Sequence, residues 1–459
     1  MDRTMENPDF RVLIVGGSIA GLTLANSLSR AGIDFLVLEA HDRIVAPVGA
    51  SLALTSNGAM ILDQMNMYED IAELFEPVDC LYTWLKDGQL LSKMDTPKLL
   101  QLRHNYPMAW IERQDLLHVL LEHLEEKDKV LLSKRVTSIN DSGEGVIAYC
   151  ADGTSYNGSM IAGADGVHST VRTEMWRHMD ISTSGNMLQK DKTAMVSEYS
   201  CVFGISNPTH GIKAGEVHRT WSEGFSIFVT VGKEGQVFWL LYAKLNGTYH
   251  PPDIPRYTTD DLDVHLKAYS ETHVTKTVKF AAVCQNITSC SYVPLEEANY
   301  DYWTWGVFAC LGDAIHKVNP CLSTTPNLGQ GASLAIENAA SLANHIVSIL
   351  KTKNNEVMRA EISSGLNTWA SVQMRRTKLI CLTGNMLTRL ETFATLKYRL
   401  VALYLVPYAG DLFADLVSMA VSGTRFLDFL PVPERCVNTP TLQLSWYIRL
   451  LWALCLRLV

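Results

Sequence analysis

The stretch RVLIVGGSIAGLTLANSLSRAGIDFLVLE, residues 11–39, contains the pattern that decides the fold. Two short apolar runs, Arg11 to Val15 and Phe35 to Leu38, have the length and composition of buried strands. Between them, from Ala20 to Ala31, apolar residues recur at helical spacing, and a glycine follows where a helix commonly ends. The segment is therefore predicted to form a β-α-β unit.

The loop between the first strand and the helix reads GGSIAG. It matches the G-x-G-x-x-G fingerprint at Gly16 and Gly21 and carries Ser18 at the second position. A dinucleotide pyrophosphate would lie on the helix N-terminus, where free N–H groups and the helix dipole favour an anion. Glu39 follows Gly21 at the spacing of a carboxylate that binds ribose hydroxyls. The pattern predicts a dinucleotide site, and the alternative is a tight turn without a ligand.

Composition excludes several other classes of protein. The chain has 459 residues, a formal net charge of −9 and 47% hydrophobic residues. The negative charge argues against a general nucleic-acid binder, which needs a basic face. The ten cysteines contain no C-x-x-C pair, and the histidines lack an H-E-x-x-H arrangement, so neither a disulfide framework nor a metal site is predicted.

The middle of the chain has a different pattern. Between residues 199 and 245, short runs rich in aromatic and β-branched residues alternate with turn residues, which predicts a second, antiparallel sheet. A strand and a turn are expected at residues 305–313, followed by a long helix from Gly331 to Leu350. The remainder of the chain is expected to be helical and apolar.

The last eighteen residues, LQLSWYIRLLWALCLRLV, suggest contact with a membrane. A helix of this length reaches ~27 Å at ~1.5 Å per residue, just short of a bilayer core of ~30 Å. Arg449 and Arg457 are its only charges. We expect a helix lying in the interface or a short anchor, on the cytoplasmic face of the endoplasmic reticulum. The alternative is a helical pair packed on the body of the protein.

Two further motifs identify the nucleotide. GADGVHSTVR covers residues 163–172, and LGDAIHK at 311–317 precedes TPNLGQGASLAIENAA at 325–340. Together with GGSIAG and Glu39, they resemble the group A FAD-dependent monooxygenases, which have the GR2-type fold of para-hydroxybenzoate hydroxylase. The strings VGASLALTSNGAMILDQ and IERQDLL are most similar to those of fungal enzymes that epoxidise prenyl chains in meroterpenoid and indole-diterpene pathways.

The resemblance assigns roles to individual residues near the first motif. Glu39 is expected to bind the adenosine ribose, next to the loop of Gly16, Ser18 and Gly21. Gly49 is expected near the cofactor, and Arg113 is expected to reach the FAD pyrophosphate or the flavin side.

The later motifs are assigned in the same way. Asp165 and Arg172 are expected to shape the junction near FAD and a path for NAD(P)H, the reductant. Asp313 is expected to hold the ribityl chain or the pyrophosphate, and Gly331 and Ala332 to place backbone N–H groups beside the flavin ring.

The implied fold class is α/β. A Rossmann-type FAD-binding domain, residues 1–180 and 300–350, would carry an inserted β-rich substrate domain at 181–299. A helical, membrane-associated region at 351–459 would end in the hydrophobic tail 442–459. The chain departs from the family at Asn319–Thr324, six extra residues, and at Ser333, where the family has asparagine.

The resemblance implies an FAD- and NAD(P)H-dependent monooxygenase that epoxidises a farnesyl or geranylgeranyl chain through a flavin C4a-hydroperoxide formed with O₂. The alternatives are an aromatic-ring hydroxylase of the same fold and a non-catalytic prenyl-binding escort. The second sheet supplies the candidate substrate wall: Tyr199, Arg219, Trp221, Phe225, Phe228, Trp239 and Tyr242. Tyr199, Arg219 and Trp221 are the candidates for catalysis, although aromatic residues alternating on a strand are also typical of core packing.

Overall fold

The structure is a computed structural model that describes residues 10–45, 51–183, 188–317, 330–351 and 358–437. Three parts of the sequence that carry expectations lie outside the described residues. They are Gly49, the Asn319–Thr324 insertion and the tail 442–459.

The strands are β1 Arg11–Val15, β2 Asp34–Leu38, β3 Ser51–Leu54, β4 Cys80–Leu85, β5 Leu90–Met94, β6 Ala109–Glu112, β7 Val130–Leu131, β8 Val136–Asp141, β9 Val146–Cys150, β10 Ser155–Gly158, β11 Met160–Gly163, β12 Val196–Ser206, β13 Glu216–Ser222, β14 Phe225–Val231, β15 Val237–Tyr249, β16 Ile287–Asn299, β17 Thr304–Trp305, β18 Phe308–Cys310 and β19 His316–Lys317.

The helices are α1 Ile19–Arg30, α2 Ser56–Gln64, α3 Tyr68–Ala72, α4 Thr96–His104, α5 Arg113–Glu122, α6 Thr170–Thr183, α7 Gln189–Lys192, α8 Thr259–Tyr269, α9 Phe280–Cys284, α10 Gln330–Lys351, α11 Arg359–Glu391, α12 Leu396–Tyr404, α13 Leu412–Ser422 and α14 Glu434–Val437.

The first sheet has the strand order β17-β18-β11-β1-β2-β7. Its strands from β18 to β7 run parallel, and only the short β17 at the edge is antiparallel. The predicted β-α-β unit is confirmed, because β1 lies in the middle of the sheet with β2 beside it. Val130–Leu131 continues the parallel sheet, and Val136–Asp141 pairs separately with β9.

Helices α1 and α10 cover this sheet, and their apolar residues share its core. α10 also packs on α2 and on the 33-residue helix α11. The predicted long helix is thus confirmed, with bounds Gln330–Lys351. Because α10 contacts α1, α2 and α11, it packs the N-terminal helices against the C-terminal helix α11.

The second sheet has eight strands in the order β19-β16-β12-β15-β14-β13-β4-β5. The four strands from β12 to β15 confirm the predicted sheet in the middle of the chain. Strands β4 and β5, which come from much earlier in the sequence, extend it at one edge. The proposed domain boundaries remain a prediction. The pairing of β4 and β5 shows that the sheet includes strands from outside residues 181–299.

The described C-terminal region is helical, as predicted, and consists of α11 to α14. Within the described ranges, no single helix is long and apolar enough to cross a bilayer. Two consecutive segments, Leu396–Tyr408 and Leu412–Ser422, are long and apolar enough only when they are taken together. They are bent by 93° relative to each other.

Candidate active site

The turn after β1 is too tight for side chains at its glycines. Gly16 has φ +101°, and a Cβ there would lie 2.5 Å from the carbonyl oxygen of Ala164. A Cβ on Gly21 would lie 1.9 Å from the carbonyl oxygen of Gly16. Both residues therefore have to be glycine for β1, β11 and α1 to approach one another.

The N-terminus of α1 is open to an anion. Ser18 is the N-cap residue, yet its side chain accepts no capping hydrogen bond, and the first turn contains no acidic residue. The free N–H groups of this turn and the helix dipole are consequently available to a phosphate.

Glu39 lies at the end of β2 and is 8% exposed. Its Oε2 accepts a hydrogen bond from the backbone N–H of Gly17 at 2.7 Å, and its Oε1 accepts one from the backbone N–H of His41 at 2.8 Å. The carboxylate therefore holds the glycine-rich loop against the end of β2. This is the position from which a carboxylate meets a ribose in dinucleotide-binding folds.

Arg113, at the beginning of α5, reaches the same loop. Its Nη2 donates to the hydroxyl of Ser18 at 2.7 Å. Burial lowers the pKa of the Arg113 guanidinium, against the attraction of Asp313 and Glu39, but an arginine stays charged in proteins. It forms no ion pair with a carboxylate of the described residues. A half-buried cation beside an uncapped helix N-terminus suits a pyrophosphate.

We expect Arg113→Met to weaken FAD binding by at least about tenfold, because a charge-assisted hydrogen bond contributes about 1.5–3 kcal/mol. The thermal stability of the apoprotein should change little, because within the described residues the hydrogen bond of the Arg113 side chain goes to the Ser18 hydroxyl. Flavin fluorescence titration measures the affinity, and Arg135→Met, at an exposed arginine, is the control. Equal affinities for the two variants would contradict this placement of Arg113.

Asp165 and Arg172 have structural partners. Asp165 accepts hydrogen bonds from the Ser169 hydroxyl at 2.5 Å and from the backbone N–H of Thr170 at 2.7 Å, so it caps α6. Burial raises the pKa of Asp165, while these hydrogen bonds oppose the rise. Arg172 is 4% exposed and donates to the carbonyl oxygen of Ala314 at 2.6 Å. Arg172 thus joins α6 to the 312–314 turn, and a direct role of either residue at the cofactor remains a prediction.

Asp313 lies in this turn, between β18 and β19, where Gly312 has φ +60°. Its carboxylate forms an ion pair with Lys317, four residues later. The turn is held by Arg172, which donates to the carbonyl oxygen of Ala314. The negative charge of Asp313 acts to raise the pKa of Arg113, against the effect of burial. A role of Asp313 at the cofactor remains a prediction.

The first turn of α10 forms the remaining wall. A Cβ placed on Gly331 would meet no atom of the described residues within 4 Å. The first turn of α10 has no acidic residue, and Ala332 follows Gly331 in it. This first turn, Arg113 and the loop of Gly16 fit an elongated dinucleotide.

The second sheet turns one apolar face towards this site. On this front face, Phe228, Phe238 and Leu240 pack with Ala53 and Trp110, which belong to β3 and β6 of the FAD-binding half. The rings of Trp110 and Phe228 have centroids 5.0 Å apart. The opposite, back face is covered by α8 and α9. The front face is therefore the one that packs against β3 and β6.

Two of the seven predicted wall residues lie on the back face, which corrects the prediction that all seven form one wall. Trp239 packs on Phe280, and its Nε1 donates to the Ser206 hydroxyl at 2.9 Å. Phe225 packs on Tyr269 of α8. Strand alternation explains this result, because neighbouring residues on one strand point to opposite faces.

The three candidates for catalysis lie on the front side but have protein partners. Arg219, fully buried, forms an ion pair with Glu391 at the end of α11. The Tyr199 hydroxyl lies 3.1 Å from the hydroxyl of Thr392, and Trp221 packs on α11 and α12. Their catalytic role remains a prediction, because each is engaged by the C-terminal helices.

Sequence reasoning missed Glu391. Its Oε2 accepts a hydrogen bond from the Tyr242 hydroxyl at 2.6 Å, and burial raises the pKa of Glu391 to about 7, against the opposing effects of Arg219, Tyr242 and Ser226. Glu391 is separated from Arg219 by 172 residues. No local pattern connects two such positions, and the only available signal was a lone carboxylate in an apolar helical segment.

The fold and the site define a dinucleotide-binding protein with a second, separate sheet. The family model described as "FAD binding domain" matches residues 9–360. The curated relatives include the FAD-dependent monooxygenase olcE of Penicillium canescens, 36% identical over 94% of this chain and 92% of that one. The chain belongs to the family of FAD-dependent monooxygenases, and its cofactor is FAD. NAD(P)H is the reductant typical of the family.

Two further comparisons define the extent of the likeness. The FAD-dependent monooxygenase anuJ of Penicillium roqueforti is 36% identical over 97% of this chain, which spans only 56% of that relative's length. The crystal structure of a variant of HpxO from Klebsiella pneumoniae, complexed with FAD, superposes with a TM-score of 0.72 at 18% identity, over 90% of this chain and 99% of that one. The latter likeness shows the fold.

Proposed function

We propose that the protein epoxidises a double bond of a farnesyl or geranylgeranyl chain carried by a meroterpenoid or indole-diterpene intermediate. The observation that supports this proposal is the apolar front face, where Phe228, Phe238 and Leu240 meet Trp110. Such a wall suits a long hydrocarbon chain, which needs shape and desolvation more than hydrogen bonds. When bound and reduced, FAD supplies an electrophilic oxygen atom derived from O₂.

The chain's own residues have three tasks in this reaction. The front face excludes water and holds the alkene in place. The N–H groups at the beginning of α10 would stabilise negative charge on the reduced cofactor. Arg113, with the loop of Gly16, anchors the pyrophosphate.

An aromatic-ring hydroxylase would need a polar group free to activate a phenol. On the front face, the Tyr199 hydroxyl is paired with Thr392, and the Tyr242 hydroxyl and Arg219 are paired with Glu391. These pairings favour the epoxidase over the hydroxylase. They do not distinguish the epoxidase from a prenyl-binding escort. An assay of NADPH oxidation makes that distinction.

The test is incubation of membranes containing the protein with a farnesylated aromatic compound and NADPH, followed by mass spectrometry. We expect a product with one additional oxygen atom that opens to a diol in acid. A phenol instead would favour the hydroxylase. Prenyl binding without NADPH oxidation would favour the escort.

We further propose that the protein lies on the cytoplasmic face of the endoplasmic reticulum through the outer face of α12. Leu396, Leu400 and Tyr404 repeat at four-residue spacing and are 71%, 49% and 65% exposed. Lys397 and Arg399 flank this stripe and are exposed. An apolar stripe with basic flanks is typical of helices that lie in the headgroup region of anionic membranes.

We expect Leu400→Glu and Tyr404→Glu to reduce flotation with phosphatidylcholine–phosphatidylserine vesicles by about tenfold each, since burial of one such side chain contributes about 1.5–3 kcal/mol. Val264→Glu, at a 71% exposed position on α8, is the control. Unchanged flotation of both α12 variants would show that this face does not contact lipid.

A further inference from the structure

A chain of buried polar side chains begins at the first turn of α10. Gln330, Ser333 and Glu337 share one face of this helix and are fully buried. Asn57 of α2 contacts two of them. Its Nδ2 donates to Oε1 of Gln330 at 2.8 Å and to Oε2 of Glu337 at 3.4 Å. One amide nitrogen therefore links the beginning of α10 to a carboxylate two turns further along.

Arg376 of α11 closes the far end of this chain. Its Nη2 donates to Oε2 of Glu337 at 2.9 Å, and its Nε contacts the other carboxylate oxygen. Gly423, after α13, leaves room for the guanidinium, because a Cβ there would lie 2.5 Å from Nη1. The pair is bidentate and buried at Glu337, so the carboxylate is ionised and fixed in orientation.

The donor and acceptor roles along this chain are determined by its ends. Arg376 can only donate, and an ionised Glu337 can only accept. Asn57 must consequently turn its nitrogen towards Glu337, while its oxygen accepts from the Thr55 hydroxyl at 2.7 Å. Gln330 then has to present its oxygen to Asn57.

The side-chain amide nitrogen of Gln330 is the one donor of this chain that the preceding assignments leave without an acceptor. It is buried and has no hydrogen-bond partner in the part of the chain that the structure describes. Leaving such a donor unpaired costs about 1–3 kcal/mol, so buried donors are normally satisfied. It lies at the beginning of α10, next to Gly331, where a Cβ would meet no atom of the described residues within 4 Å.

We propose that Arg376, Glu337 and Asn57 are positioning residues that hold the Gln330 amide with its N–H group available to FAD. The residue that orients this donor is thus on the C-terminal helix α11, outside the segment that carries the dinucleotide motifs. The inference concerns the cofactor and holds whichever substrate the protein oxidises. It requires only that FAD lies at the beginning of α10.

A double-mutant cycle tests this coupling. Gln330→Met removes the donor, and Asn57→Leu breaks the chain while leaving the Glu337–Arg376 pair intact. We expect each variant to weaken FAD binding by about tenfold, the loss of one buried hydrogen bond. The double variant should bind FAD no more weakly than either single variant, because the second change removes nothing further.

Arg376→Gln extends the test to α11, with Arg375→Gln as the control at the neighbouring exposed arginine. The visible spectrum of bound flavin is the second readout. Asn57→Leu, Arg376→Gln and Gln330→Met should produce the same spectral shift, and Arg375→Gln should produce none. If Arg376→Gln does not fold, the cycle of Asn57 with Gln330 alone decides the question. Additive losses, or unchanged spectra with weaker binding, would overturn the proposal and leave the epoxidase proposal untouched.

Discussion

Gly16→Ala is expected to abolish FAD binding and to destabilise the protein by more than about 4 kcal/mol, in the range of exceptional point mutations. The left-handed backbone at φ +101° alone would cost about 1–2 kcal/mol in alanine. The larger part comes from the added methyl group, which would lie 2.5 Å from the carbonyl oxygen of Ala164. That oxygen belongs to the backbone after β11 and cannot turn away as a side chain would.

Gly143→Ala is the matched control. Gly143 also has a left-handed backbone, with φ +85°, but a Cβ there would meet no atom of the described residues within 4 Å. The Gly143→Ala variant should lose only about 1–2 kcal/mol of unfolding free energy and should retain flavin. Urea unfolding measures the stability, and the visible absorbance of the purified protein reports bound flavin. A yellow, stable Gly16→Ala protein would show that the turn is not as close as the structure has it.

Arg219→Met is expected to destabilise the protein by about 3–5 kcal/mol, because it leaves Glu391 buried without its cation. Both side chains are buried, with exposures of 0% and 1%. The double variant Arg219→Met/Glu391→Met should regain most of this stability, since apolar residues of similar volume often replace a buried ion pair without loss.

The same pair of variants separates structure from chemistry. If Arg219 only pairs with Glu391, the double variant will recover turnover together with stability. If Arg219 contacts the substrate, the double variant will be stable and inactive. Turnover that stays low after stability returns would therefore support the catalytic role predicted from the sequence.

The double variant also removes a titrating group. Because burial raises the pKa of Glu391 to about 7, the folded protein binds this proton more tightly than the unfolded chain does. The resulting stability is complete below the ordinary glutamate pKa of about 4.3 and is lost as the pH rises through about 7. Relative to the double variant, the native protein should lose stability between about pH 4 and about pH 7 and change little above that. If the difference in unfolding free energy between the native protein and the double variant does not change with pH, the raised pKa of Glu391 is contradicted.

The sequence predicted well where a local pattern carries the information. The apolar runs around Gly16 and Gly21 specify β1, α1 and β2, and the structure has all three within one residue of the expected bounds. Helix α10 was predictable for the same reason, since its apolar residues repeat at helical spacing. The family motifs also indicated FAD, which the comparisons confirm.

Faces and partners were harder to predict. Period-two alternation shows that two residues of a strand lie on opposite faces, but it does not tell which face meets the cofactor half. Trp239 and Phe228 looked alike in the sequence, and only the packing of Trp110 on one face distinguished them.

By itself, the sequence determined the dinucleotide-binding unit and the presence of a second sheet, because strand length, helical period and glycine spacing are properties of consecutive residues. The class of cofactor followed from the resemblance of its motifs to a known family. The tertiary structure alone decided that Glu391 pairs with Arg219 and that Arg376 orients Gln330 through Glu337 and Asn57. Such contacts arise when elements far apart in the chain are buried together. A buried charge or amide must then satisfy whichever polar group is brought against it.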